Sequence, residues 1–110
     1  MTEETLDKTC GLTRQTLDAL TSVFIRHSRL TKVILYGSRA KGTFRKGSDV
    51  DLTLIGDQLT HADMLEIETQ IDDLLLPYKV DISLYHFVDN ENLREHIDRV
   101  GVVLYHRETS

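Results

Sequence analysis

The sequence predicts an α/β (α+β) fold, a small mixed sheet with helices packed on one face. Three observations carry this expectation. Asp49 to Ile55 and Lys79 to Tyr85 alternate apolar and polar residues with a period of two, the mark of strands with one buried face. Leu12 to His27 and residues 60–75 repeat apolar residues at helical spacing. Strand-like and helix-like segments also interleave along the chain instead of segregating.

The elements follow in order. Residues 1–10 are polar and are expected to fray. Leu12, Leu17, Leu20, Val23 and Phe24 form the stripe of a first helix. Leu30 to Tyr36 is apolar and β-branched, so it reads as a strand, and Gly37 breaks it. Ser38 to Phe44 is expected to hold a short helix with Ser38 near its start, and Lys46-Gly47-Ser48 to turn the chain. Val50, Leu52 and Leu54 then face one way, and Asp49, Asp51 and Thr53 the other.

The second long helix starts near Thr60 or His61. Met64, Leu65, Ile67, Ile71, Leu74 and Leu75 form its stripe, and Pro77 is expected to stop it. In the next strand Val80, Ile82 and Leu84 alternate with Asp81 and Ser83. Asp89 or Asn90 is expected to cap a third helix that runs to Arg99 with Leu93 and Ile97 inward, ending at Gly101. Val102 to Tyr105 closes the sheet.

A chain of 110 residues with 40% hydrophobic residues supports one domain, spanning 1–110, with one modest core. The single cysteine, Cys10, excludes an intrachain disulfide and a cysteine-built metal site. No apolar run approaches the roughly 18 residues of a membrane helix, and the acidic start MTEETLDK has no signal-type apolar region. These features predict a cytoplasmic protein.

Thirteen Lys and Arg against 18 Asp and Glu give a net charge of −5, which disfavours non-specific nucleic-acid binding. Yet Gly37 to Ser48 holds Arg39, Lys41, Arg45 and Lys46 and no acid, a local +4 that leaves −9 on the rest. A concentrated basic loop on an acidic chain points to a local anion site.

Three features converge there. The strand ending at Gly37-Ser38 leads into a basic turn whose free N–H groups, with the Ser38 hydroxyl, favour phosphate. Asp49 and Asp51 share one strand face roughly 6.6 Å apart along the chain, a pair that repels itself unless water or a cation intervenes. Hard carboxylate oxygens on one face suit Mg²⁺, which takes one or two carboxylates together with substrate phosphates. Asp81 has the same alternation on another strand. If the two strands are neighbours with their apolar faces in one core, Asp81 joins the pair. Three carboxylates beside a phosphate-binding turn is the layout of metal-assisted phosphoryl or nucleotidyl transfer. Gly37-x₄-Gly42-Thr43 lacks the Lys of a P-loop, so that reading is set aside. The five histidines, His27, His61, His86, His96 and His106, show no metal spacing and read as surface or helix-end residues.

Gly37-Ser38, ten residues, then Asp49-x-Asp51 resembles the GS-x₁₀-D-x-D motif of the DNA polymerase β nucleotidyltransferase superfamily. Val80-Asp81-Ile82 resembles that superfamily's third carboxylate, and the tail around Ile97, Gly101 and Leu104-Tyr105 is similar to the end of minimal nucleotidyltransferase domains. The resemblance implies a polymerase-β-like fold and ATP as substrate. It implies two Mg²⁺ ions held by Asp49 and Asp51, with Asp81 binding one of them and activating an acceptor hydroxyl. Gly37 and Ser38, helped by Arg39 and Lys41, would meet the nucleotide phosphates. Nothing in the residues reads the base.

Such domains serve as antitoxins of HEPN–MNT toxin–antitoxin pairs or work with a separate all-helical subunit. The resemblance therefore implies a hetero-oligomer with an all-helical partner, a HEPN RNase that receives AMP. Two alternatives stay open: an antitoxin that blocks its partner without catalysis, and the catalytic subunit of a two-chain small-molecule nucleotidyltransferase.

Overall fold

A computed structural model describes residues 12–42 and 49–107. Helix α1 spans Arg14–Phe24, strand β1 Lys32–Tyr36, the one-turn helix α2 Ser38–Lys41 and strand β2 Val50–Ile55. Helix α3 spans His61–Asp72, strand β3 Val80–Leu84, helix α4 Glu91–Val100 and strand β4 Val102–His106. A 3₁₀ turn at Tyr85–Phe87 separates β3 from α4.

Each long helix starts where a side chain replaces the missing backbone acceptor. The Thr13 hydroxyl accepts from the Thr16 N–H at 3.1 Å, and the Asn90 side chain accepts from the Leu93 N–H at 3.2 Å. Thr60 and Asp63 form a reciprocal capping box at the start of α3.

The sheet order is β3-β2-β1-β4. Strand β1 runs antiparallel to both β2 and β4, whereas β2 and β3 are parallel and are joined through α3. Val33 and Leu35 of β1, Val50, Leu52 and Leu54 of β2 and Leu84 of β3 point to one face. There they pack with Leu20, Val23 and Phe24 of α1 and Ile67 and Ile71 of α3. Phe24 also meets the ring of Tyr105, which packs against the core.

The helices-on-one-face arrangement describes α1 and α3 but not α4. The latter lies over the opposite face of β1. Its Ile97, 1% exposed, stands outside the main core cluster, and Gly101 at its end abuts Ile34, whose side chain points away from that core. The physical reason is in β1 itself, where Val33, Ile34, Leu35 and Tyr36 form an unbroken apolar run that needs cover on both sides. Helix α3 also stops at Asp72, short of Leu75, which takes a positive φ of 54° and is 87% exposed. Leu65, assigned to the apolar stripe of that helix, is likewise exposed. Among the described residues no helix is long and apolar enough to cross a membrane.

Candidate active site

The face opposite the core carries Tyr36 on β1, Asp51 and Thr53 on β2, and Asp81 and Ser83 on β3. Their common face follows from the pairing, with Tyr36 opposite Asp51, Asp51 opposite Asp81, and Thr53 opposite Ser83. Asp51 is thus the middle of a row across three strands. The condition on which the sequence reading rested, that the two Asp-bearing strands are neighbours and share an apolar face, holds.

Gly37 ends β1 with φ 78° and ψ −156°, a backbone region open in practice only to glycine. A Cβ there would collide with the Asp51 carboxylate oxygen Oδ2. The turn and the central carboxylate therefore touch. Ser38 opens α2 and is partly exposed beside them.

The electrostatics agree with this proximity. Burial pushes the Asp51 carboxyl above the ordinary aspartate value, and the charges of Asp81 and Asp49 push it further, against the opposing charge His96 carries when protonated. Asp49, immediately before β2, is exposed yet close enough to contribute. The Tyr36 phenol is also raised, by burial first. A hydrogen bond with Ser83 opposes that rise, and the charges of Asp51 and Asp81 add to it. Ser83 in turn donates to Thr53 Oγ1 at 3.1 Å. Tyr36 is therefore part of the carboxylate face rather than of the core.

Asp81 points to solvent, its side chain 46% exposed, with Oδ1 3.7 Å from Lys79 Nζ. A cavity of about 390 Å³ opens beside it, lined also by Tyr78, Glu68, Asp72 and Leu75. Among the described residues no three His, Cys, Asp or Glu side chains form a cage able to hold a metal alone. The donor set fits a hard divalent cation that completes its shell with phosphate and water oxygens, because such an ion needs only one or two carboxylates from the protein.

The basic turn divides. Lys41 is exposed. Arg39 is not a free cation beside the carboxylates: it is 2% exposed, and its guanidinium lies 4.6 Å from the centre of the Tyr78 ring, a residue packed on the main core. A one-turn helix must seat one side chain inward, and Arg39, followed by the partly buried Ala40, is that residue. Arg45, Lys46 and Ser48 lie outside the described residues.

One residue at the site was read only as a surface or helix-end histidine. His96 of α4 accepts the Gly37 N–H at Nε2 (3.3 Å), and its ring meets Tyr36 edge to face with centroids 6.3 Å apart. A signal existed, since His96 falls between Leu93 and Ile97 on the inward stripe of the helix.

The family model for "Polymerase beta, Nucleotidyltransferase" matches residues 18–110. No curated protein sequence is detectably similar. Solved structures are similar in fold. A toxin–antitoxin structure with AMP-PNP aligns at 18% identity and a TM-score of 0.67, over 84% of this chain and 74% of that one. A tri-AMPylated Shewanella oneidensis HEPN toxin in complex with its MNT antitoxin aligns at 14% identity and 0.64, over 86% and 72%. A putative nucleotidyltransferase from Sulfolobus solfataricus aligns at 15% and 0.57, over 94% and 86%. With paired carboxylates on two adjacent strands set against a glycine turn, and a family match over most of its length, the chain belongs to the polymerase β nucleotidyltransferases.

Proposed function

We propose that this nucleotidyltransferase transfers AMP from ATP to a hydroxyl on a partner protein, acting in the cytoplasm as the antitoxin that adenylylates and neutralises a HEPN RNase toxin. The observation that carries the reading is Asp51, in register with Asp81 and pressed against Gly37. Likeness of fold to an AMPylated HEPN toxin complex, and to a toxin–antitoxin structure with AMP-PNP, supports the choice of nucleotide and acceptor.

In this reading Gly37 and Ser38 receive the triphosphate, the glycine by leaving room for close approach and the serine through its backbone N–H and hydroxyl, and Lys41 adds charge. Asp49 and Asp51 would hold two Mg²⁺ ions, and Asp81 one of them. When bound, the ions supply charge neutralisation at the phosphates. Asp81, open to solvent beside the cavity, takes the proton of the acceptor hydroxyl. The hydroxyl oxygen bonds to the α-phosphorus, the bond from that phosphorus to the bridging oxygen breaks, and pyrophosphate leaves with the electron pair.

The test is transfer of label from α-labelled ATP to the co-purified partner in the presence of Mg²⁺. Label on the partner, lost in the paired Asp49→Ala, Asp51→Ala variant with the complex intact, is the expected result. Full neutralisation by that variant would mean that the chain acts by blockade instead.

A further inference from the structure

Gly37 sits in a backbone conformation that only glycine adopts readily. Two neighbours bracket it. The Asp51 carboxylate fills the side where a Cβ would lie, and His96 Nε2 accepts its N–H at 3.3 Å. The histidine comes from 59 residues away in sequence, and its position is itself fixed. Ile97, the next residue, is buried, and the imidazole meets the ring of Tyr36, the residue before the turn, in a T-shaped contact. Accepting at Nε2 places the ring proton on Nδ1.

We infer that His96 is a positioning residue that holds the Gly37–Ser38 turn in its phosphate-receiving form. This rests on the nucleotidyltransferase reading of the site. The Gly37 N–H is taken up by the imidazole, which aims the following peptide and the Ser38 hydroxyl outward over the carboxylate row. Helix α4 thereby becomes the back wall of the nucleotide site, although none of its side chains needs to touch the nucleotide.

The variants His96→Leu and His96→Gln separate this role from packing. Leucine keeps bulk and loses the acceptor, whereas glutamine offers an acceptor at the reach of Nε2. One hydrogen bond of this kind corresponds to about 3- to 10-fold in affinity. For AMP-PNP with Mg²⁺, His96→Leu is expected to bind about 3- to 10-fold more weakly, His96→Gln within about twofold of the unmodified chain. In a transfer assay KM for ATP rises in the leucine variant while kcat at saturating ATP changes little. Without nucleotide, the Gly37 amide signal in NMR moves and exchanges faster in the leucine variant only. Equal AMP-PNP affinity in a folded His96→Leu protein, or an unmoved Gly37 amide, overturns the inference. If the unmodified chain binds no AMP-PNP while the Gly37 amide responds as stated, the nucleotidyltransferase reading fails and the histidine's hold on the turn stands.

Discussion

Replacing Asp51 by asparagine should stabilise the protein at neutral pH. Asp51 and Asp81 are register partners on adjacent strands, about 4.8 Å apart. Two unit charges at that separation repel by about 3.5 kcal/mol at an effective dielectric of 20 and by about 0.9 kcal/mol in bulk water. Both carboxylates are partly open to solvent, so screening sets the gain at about 1–2 kcal/mol. For a chain of 110 residues that corresponds to a rise in Tm of about 4–8 °C.

The pH dependence fixes the sign. Asp51 has its carboxyl raised in the folded state, so the folded protein holds that proton more tightly than the unfolded one. The penalty for ionising it is complete above the folded value and fades as pH falls through it. The advantage of Asp51→Asn should therefore vanish near pH 3, below the ordinary aspartate range of about 3.9. Mg²⁺ should raise the Tm of the unmodified chain and leave the variant nearly unchanged. Thermal melts by circular dichroism at pH 7 and near pH 3, with and without Mg²⁺, measure all of this. A lower Tm for the variant at pH 7, or a gain that persists near pH 3, would refute the claim that the carboxylates repel across this strand pair.

Two further outcomes follow from the same geometry. Gly37→Ala places a methyl group into the Asp51 carboxylate at a φ that alanine resists, so stability should fall by about 2–4 kcal/mol in urea titrations. The same change in an Asp51→Ala background should cost less, and equal costs would show that the two residues do not touch. Arg39→Met should lower stability by about 1–3 kcal/mol, since it removes a buried guanidinium stacked on Tyr78, while AMP-PNP affinity stays within about twofold. A tenfold loss of affinity at unchanged Tm would return Arg39 to the phosphates.

What the sequence made legible was local or periodic. The alternation at 50–55 and 80–84 set both strands and the face of Asp51 and Asp81 before any pairing was known. Asn90, offered together with Asp89 as the cap of α4, marked that helix start through side-chain chemistry that operates within one turn. What stayed hidden depended on tertiary packing. Arg39 lies in a single helical turn, too short for a periodic pattern to say which side faces in. His96 acquires its meaning only from a turn far away along the chain. The early end of α3 at Asp72 rests on a left-handed Leu75, a conformation that a leucine side chain does not advertise. The placement of α4 could have been foreseen, because a strand apolar on both faces cannot have one of them bare.

The pairing of β2 with β3 has a last consequence. Sliding one strand past the other by a single residue would turn Asp51 or Asp81 into the greasy layer beneath α3 and lift leucine or valine into water. The charges proposed to do chemistry thus also act as an alignment mark during assembly. They forbid the nearest mispaired sheets even though, once the right one has formed, they push against each other.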